Sequence, residues 1–590
     1  MSTRKFATKN RFLYVGILIA IILILTACAP QVETEPAEPV IAPEEAVEEP
    51  AVDVPEEAAE QPAVDVPEEE EVQEEVSQFM VESFRAAVIS DESTLNPFTY
   101  VTGDPGWNLL MLQYDSLFTM GLDGEPYPWL VTDWALSDDG LSYTLELRQD
   151  VTWNDGTPLT ADDVKFTFDY FVLNAVGRFA RDIREFDSAE VVDEYTVVIN
   201  LGSPNPGFVR SAFADVPVIP QHIWETVEDP QNHQFDTATN VGTGPYVLMD
   251  YTPDQFYRFE ANENYFAGMP TVGELVVIKF ADEAGTQAAF RTNEVDMIFR
   301  IIPPEQIDLL GMVDGVSIVQ GPQFTTQMLI MNYDVEPFNL REVRQAMAYA
   351  IDRQDLIDTV YLGAATLGSN GWIHPDSPFY NDQVVTEYNL DMAVELLESV
   401  GIVDSNDDGV REYNGTDLVF ELITPSGNAL RLRLAELIRE MLGNIGMTVN
   451  VASVEQTTWE DMIWPEFDIT FGRSYELGMW GWSAPVQADV FRAPELAHSD
   501  PGVGFLNMTG AASEEIDRIS DELAASQDPV VRAELVKELQ LAIAEEMPFI
   551  VFAYPDGNYA YWSSVYDNLA FIAGQGVVNK LSFLPESARP

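Results

Sequence analysis

One cysteine and four histidines are the candidates for nucleophilic or metal chemistry in this chain. The histidines, His222, His233, His374 and His498, form no His-Glu-x-x-His zinc pattern, and the sequence has no Gly-x-Ser-x-Gly elbow, Walker loop or dinucleotide-binding glycine pattern. A carboxylate pair for glycoside hydrolysis stays open as an alternative, because 99 Asp and Glu residues hide any such geometry. We expect no enzyme, no catalytic residue and no cofactor.

A second candidate is an acidic loop with partial calcium-ligand spacing. Asp404, Asn406 and Asp408 stand at positions one, three and five of a calcium loop, a glycine stands at position six, and Glu412 is at position nine. Position twelve is Gly415, so the bidentate glutamate is missing. We favour a tight turn closed by side-chain oxygens over a weak calcium site.

The cysteine lies in a membrane-targeting segment. Four Lys or Arg residues precede the apolar run Phe12–Leu25, which is short for a membrane span of about 20 residues and suits a signal peptide. Leu25-Thr26-Ala27-Cys28 then resembles the bacterial lipobox. The resemblance implies that residues 1–28 are a lipoprotein signal and that acylated Cys28 anchors the protein at the extracytoplasmic face of the cell membrane. An uncleaved anchor helix is the alternative.

Residues 29–78 form an acidic linker. Between Gln31 and Gln78 there are 18 Asp or Glu and no Lys or Arg, and Pro50–Glu57 is repeated at Pro62–Glu69. Proline blocks regular helix and like charges repel, so we expect an extended, disordered tether.

The net charge of −70 is too large to arise from the linker alone. It excludes nucleic acid as a partner, because phosphate recognition relies on clustered Lys and Arg. A solvated surface, suited to a saline medium, and attraction of cationic solutes both remain open.

From Phe79 onward the sequence alternates between strand and helix patterns. Period-two alternation predicts strands at 142–148 and 195–201, and helical periodicity appears at 343–351, 391–400, 430–442 and 514–546. Thr160, followed by two aspartates, predicts a helix start. Interleaved strands and helices favour α/β domains.

Several segments together resemble the peptide/nickel class of ABC transporter solute-binding proteins, solute-binding family 5. The matching segments are Asp133–Val164, Val218–Glu225, Gly242–Tyr246, Asn262–Pro270, Asn339–Arg353 and Gly481–Ser483. The resemblance implies a periplasmic-binding-protein-like class II clamp of two α/β lobes. We expect lobe I at 79–325 with an inserted subdomain at about 125–215, lobe II at 326–555, and a return to lobe I at 556–590.

The resemblance also implies where solute binds. Tyr114, Asp115 and Phe118 are expected on one wall of the cleft, and Trp480, Trp482 and Ser483 on the other. Oligopeptide binders of the family follow the Trp-x-Ala sequence with an aspartate for the peptide's amine, but here Pro485 stands in that place. Asp489 is the nearest downstream acid that could replace it.

The function implied is that of a monomeric importer component. It would capture a peptide or similar solute by hinge closure and deliver it to an ABC permease with its ATPase subunits. An oligosaccharide, a metal chelate, or a sensing role for the same fold are the alternatives.

Overall fold

The structure is a computed structural model that describes residues 79–590, except for 92–93, 99–104, 175–176, 206, 235, 237–238, 484–488 and 527. The predicted signal peptide, Cys28 and the acidic linker lie outside the described residues. None of the helices in the described ranges combines the length and apolar character that a bilayer span requires.

Strands and helices alternate along the described chain. The strands are β1 (Val81–Val88), β2 (Phe118–Met120), β3 (Pro126–Pro128), β4 (Val131–Leu136), β5 (Ser142–Leu147), β6 (Phe186–Asp193), β7 (Thr196–Leu201), β8 (Tyr246–Thr252), β9 (Phe256–Ala261), β10 (Val272–Lys279), β11 (Met297–Ile298), β12 (Val316–Pro322), β13 (Gln327–Met331), β14 (Ala365–Leu367), β15 (Glu412–Tyr413), β16 (Thr416–Asp417), β17 (Val419–Pro425), β18 (Thr448–Val454), β19 (Leu477–Trp480) and β20 (Phe549–Trp562). The α-helices are α1 (Gly106–Gln113), α2 (Ala161–Asn174), α3 (Gly177–Asp182), α4 (Gln221–Trp224), α5 (Glu283–Arg291), α6 (Pro304–Gly311), α7 (Arg341–Ala350), α8 (Arg353–Leu356), α9 (Leu390–Ser399), α10 (Ala429–Gly443), α11 (Gln456–Ile463), α12 (Ala493–Ala497), α13 (Glu514–Ala525) and α14 (Pro529–Glu546).

The main sheet is mixed and runs through the whole body. Its order is β18-β17-β19-β13-β20-β11-β1-β10-β9-β8, and β12 and β14 also pair with β20. The pairs β1–β10, β1–β11, β17–β18 and β17–β19 are parallel. The predicted α/β class is confirmed, because parallel pairs of this kind require the crossover connections that helices supply.

Strand β20 joins the two halves of this sheet. Its first half pairs with β13 and β14, and from Asp556 onward it pairs with β12. Residues 323–326, between β12 and β13, form the neighbouring crossing. At this point Gly321 of β12 is paired with Gly557 of β20, and a Cβ on Gly557 would lie 2.4 Å from Gln323 Oε1. A side chain at position 557 would therefore displace the amide of Gln323, and glycine avoids this where the chain passes between the halves.

We call the half that contains β1 and β8–β12 lobe I, and the half that contains β13, β14 and β17–β19 lobe II. A separate antiparallel sheet, β4-β5-β7-β6, lies within the range expected for the inserted subdomain of lobe I. The domain boundaries drawn from the sequence stay a prediction.

The strands and helices that local signals predicted are found close to their expected positions. Helices α7, α9 and α10 begin and end within two residues of their predicted bounds. The helical periodicity at 514–546 corresponds to two helices, α13 and α14, with a break between them. Pro529 begins the second helix, where its missing N–H costs nothing, and Asp528 caps it by accepting the N–H groups of Val530 and Val531.

A buried ion pair ties the C-terminal segment to lobe I. Lys580 Nζ lies 2.6 Å from Asp115 Oδ1, and their side chains are 7% and 0% exposed. The same carboxylate accepts hydrogen bonds from Trp129 Nε1, Tyr265 Oη and Thr243 Oγ1. Burial lowers the pKa of Lys580, and Asp115 opposes that shift. A buried pair of this kind is tolerated because further donors satisfy the carboxylate.

We predict that Asp115→Ala lowers the free energy of unfolding by about 3–5 kcal/mol, because it leaves the buried ammonium of Lys580 without its partner. Denaturant unfolding followed by tryptophan fluorescence measures the change. The matched control is Asp169→Ala, which removes the Lys165–Asp169 pair, also 2.6 Å long but about half exposed. That change should cost about 0.5 kcal/mol or less. Equal losses in the two variants would contradict this account of the Asp115 pair.

Candidate functional site

A cavity of about 370 Å³ lies between the two lobes. Lobe I contributes the turn Asp123–Pro126 between β2 and β3, together with Gly207, Val209, Arg210 and Ala573. Lobe II contributes His374, Asp376–Phe379 and Asp489–Phe491, and the crossing contributes Pro322 and Phe324. A volume in this range is typical of small-molecule sites.

The lobes also touch outside the cavity. The guanidinium of Arg184 in lobe I lies 5.0 Å from the ring centre of Phe505 in lobe II. Arg433 Nη2 of lobe II is 3.8 Å from Glu305 Oε2 of lobe I. The structure therefore shows the lobes in mutual contact around the cavity, through interactions that are each weak because they are exposed.

The charged groups of the described cavity wall are predominantly acidic. The wall carries the carboxylates of Asp123, Glu125, Asp376 and Asp489 and the single guanidinium of Arg210. Arg210 already donates to Gly124 O at 2.8 Å and to Glu125 Oε2 at 2.9 Å. The remaining charge therefore favours a cationic group in the cavity.

Asp489 is the most deeply buried of these acids, with 8% of its surface exposed. Its Oδ1 accepts the N–H of Phe491, and a Cβ on Gly207 of lobe I would lie 3.3 Å from its Oδ2. Burial raises the pKa of Asp489, and the positive charges of Arg492, Arg210 and Arg532 oppose the shift. A side chain at position 207 would require this carboxylate to shift slightly, so glycine eases the close approach of lobe I.

His374 of lobe II also lines the cavity and is 2% exposed. Its ring lies between Phe324 and Tyr554, with ring centres 4.9 and 4.7 Å away. Nδ1 accepts the N–H of Asp376 at 3.0 Å, so the neutral ring carries its proton on Nε2. Burial lowers the pKa of His374 to about 4, and the imidazole is therefore neutral near pH 7.

Comparison with known proteins identifies the family. The model of bacterial extracellular solute-binding proteins, family 5 Middle, matches residues 125–491, which is more than half of the chain. The chain belongs to this family. The predicted class, an extracellular solute-binding protein with the family's two-lobed α/β clamp, is confirmed.

Family 5 relatives bind different solutes. The oligopeptide-binding protein AppA of Bacillus subtilis is 27% identical over 72% of this chain and 77% of its own length. Heme-binding protein A of Haemophilus influenzae is 27% identical over 73% and 79%. The solved structure of B. subtilis AppA with a nonapeptide covers 86% of this chain and all of its own, with a TM-score of 0.67 and 22% identity.

The structure places the lobe I candidates inside the lobe rather than on the wall of the described cavity. Tyr114, Asp115 and Phe118 are at most 2% exposed. The carboxylate of Asp115 is occupied by the Lys580 pair, and the ring of Phe118 stacks on Phe213 with centres 6.0 Å apart. These positions precede, by a few residues along the chain, the turn that lines the cavity, and their contact with solute stays a prediction.

The lobe II candidates form an aromatic cluster beside the crossing. Trp480 stacks on Trp459 with ring centres 4.6 Å apart, and the half-buried Trp482 meets Trp480 edge to face. The backbone of Trp482 pairs with Thr326, and Ser483 is exposed. Neither tryptophan nor Ser483 is among the described lining of the 370 Å³ cavity, whereas Asp489 is. Ala484 and Pro485 lie outside the described residues.

The acidic loop at 404–412 is a tight turn. Asp404 accepts the N–H groups of Asp408 and Gly409, and Glu412 accepts both the N–H and the hydroxyl of Ser405. The Gly409 N–H makes the largest contribution to lowering the pKa of Asp404. Among the described residues no group of three His, Cys, Asp or Glu side chains has the geometry of a metal site. The oxygens of Asp404 thus face their own backbone.

Sequence reasoning missed the turn at 123–126, Arg210, Phe324 and His374. The Asp123-Gly124 turn between two short strands was visible, but nothing in it pointed to a cavity. Because these residues converge only after the lobes come together, their spacing along the chain carries no signal.

Proposed function

We propose that this protein is the substrate-binding component of an ABC importer and that it captures peptides. The observation that carries the proposal is the acidic cavity, which has Asp123 and Glu125 on one lobe and Asp376 and Asp489 on the other. The peptide-binding relatives with the same fold support it.

In this proposal Asp489 binds the ammonium of the solute. It takes the role that an aspartate directly after the Trp-x-Ala sequence has in oligopeptide binders. A buried carboxylate gains most from a charged hydrogen-bond donor, because both groups are then shielded from water. The ring of Phe491 and the neighbouring Phe379, 5.5 Å apart, supply apolar surface for a side chain of the solute.

Capture by closure follows from the position of the cavity. A solute that contacts the walls from both lobes at once is bound fully only when the lobes are together, and it therefore shifts the open–closed equilibrium toward the closed state. A shift from 1:99 to 99:1 requires about 5.5 kcal/mol of differential binding. A buried ammonium–carboxylate contact and a few hydrogen bonds are of that size.

The oligosaccharide alternative receives less support. Trp459 and Trp480 are stacked with 24° between their planes, so they cover one face of each other. Sugar rings bind to exposed aromatic faces, and the carboxylates of the cavity favour a cation instead. A clamp with its lobes together is compatible with sensing as well as with import. Delivery of the solute to a permease is what distinguishes import from sensing.

One prediction of this proposal concerns the amino group of the solute. The variant Asp489→Asn should bind trialanine ~30-fold or more weakly than the parent, because it removes a buried charge partner but keeps the acceptor for the Phe491 N–H. N-acetyltrialanine should bind parent and variant alike. Affinity of the parent should fall as the pH is lowered, and it should fall at a higher pH than an exposed aspartate would give, since burial raises the pKa of Asp489.

Isothermal titration calorimetry measures these affinities. The matched control is Asp376→Asn, which removes another carboxylate of the wall that is 61% exposed and should cost less than a factor of about five. Parent-like binding of trialanine by the Asp489 variant would refute the assignment of the amine site.

Another prediction concerns the lipid anchor. We infer that acylated Cys28 holds the protein at the outer face of the membrane, with residues 29–78 as the tether. Cys28→Ala should leave the protein uncleaved or in the soluble fraction, because two or more acyl chains are needed for stable anchoring. Metabolic labelling with palmitate and membrane fractionation measure this, and labelling that persists in the variant would contradict it.

A further inference from the structure

His374 has a hydrogen-bond donor that the described residues leave unused. Nδ1 is occupied by the Asp376 N–H, and Nε2 is buried without a hydrogen-bond partner among the described residues. A buried N–H without an acceptor is destabilising, so a solute that supplied an acceptor at this wall of the cavity would gain a hydrogen bond. The residue is 2% exposed and lines the cavity between the lobes.

The surroundings of the ring hold it in one orientation. Phe324 and Tyr554 pack on it from two sides, and the hydroxyl of Tyr554 donates to the carbonyl of Trp372 at 2.6 Å. Phe324 belongs to the crossing between the lobes and has a φ of +54°, a strained conformation for a bulky residue. The donor is thus fixed by a residue whose backbone lies where the lobes are joined.

The neutral state of the His374 ring determines which chemical group of a solute it can bind. Because the imidazole is neutral, it adds a directional donor to an acidic cavity without cancelling the negative charge that attracts a cation. A carbonyl oxygen meets this donor well. A solute with an ammonium group and a nearby carbonyl group, as at the amino end of a peptide, matches the carboxylates and the N–H together.

We propose that His374 Nε2–H is a specificity-determining donor that binds a carbonyl oxygen of the solute. The inference rests on the proposed function, because it places a group of the solute in the same cavity. It adds a second contact beside Asp489 and explains why a neutral histidine is buried between two aromatic rings at the crossing.

The chain offers a matched control for this donor. His498 has a similar local arrangement, since its Nδ1 accepts the N–H of Asp500 at 3.0 Å and it is 6% exposed. Its Nε2 also lacks a hydrogen-bond partner among the described residues and lies 3.5 Å from Asp521 Oδ1. It is not among the described lining of the cavity. In both places asparagine can accept the N–H two residues ahead, as in an Asx turn, but it lacks the Nε2 donor.

The test compares the parent, His374→Asn and His498→Asn with trialanine, cellotriose and nickel(II)–L-histidine by titration calorimetry. Loss of one buried hydrogen bond should weaken the binding of trialanine to His374→Asn about tenfold. Binding to His498→Asn should stay within about twofold of the parent. Parent-like binding by His374→Asn would overturn the inference.

The three solutes separate the two proposals. If the parent does not bind trialanine but binds nickel(II)–L-histidine, the peptide assignment fails, and the ratio of the affinities of the two histidine variants for that solute decides the role of His374. If the parent binds only cellotriose, which has no carbonyl group, both proposals fail. A parent that binds none of the three would overturn both.

A second measurement needs no variant. With four histidines in the chain, ¹⁵N-histidine labelling gives a simple imidazole spectrum. The Nε2–H signal of His374 should shift when the bound solute is added, and that of His498 should not. An unchanged His374 signal in the saturated protein would also overturn the inference, whether or not the asparagine variant folds.

Discussion

The structure depends on one strand that belongs to both lobes. β20 pairs with β13 and β14 over its first half and with β12 and β11 over its second, so neither lobe has a complete sheet without it. Tyr554 packs in the core of lobe II, and Tyr559 packs in the core of lobe I. A relative movement of the lobes must therefore bend a continuous strand, which has Gly557 paired with Gly321 near the point where it changes lobes.

Part of the cavity wall is formed by residues at or beside that crossing. Phe324 and His374 lie beside the point where the chain passes between the lobes, and the acidic turn at 123–126 faces them from lobe I. Two buried charged groups of the fold are satisfied internally. Asp115 is paired with Lys580, and Arg344 donates to the carbonyls of Phe338, Glu546 and Met547. His374 differs from them, because its second nitrogen has no acceptor in the described part of the chain.

Much of the fold was predictable because its signals are local. The amphipathic period gave α7, α9 and α10, and the pattern around Thr160 gave the start of α2, where Asp163 accepts the N–H of Thr160. The break before Pro529 was also present in the sequence, but the continuous apolar period on both sides concealed it.

The site was predictable only in part because its geometry is long-range. The burial of the Asp115 carboxylate depends on hydrogen-bond donors at positions 129, 243, 265 and 580, and no spacing rule links these positions. Asp489 was found because a departure from the family's pattern directed attention to the next acid. His374 carried no signal beyond its rarity, since its meaning comes from Phe324 and Tyr554 across the fold.

The central claim, that solute is held by both lobes at once, is tested most directly by hydrogen–deuterium exchange of the full chain with and without saturating trialanine. Binding should slow exchange in segments of both lobes, at 118–128 and 207–213 of lobe I and at 374–380 and 489–497 of lobe II. Slower exchange confined to one lobe, with the facing walls unchanged, would contradict the account.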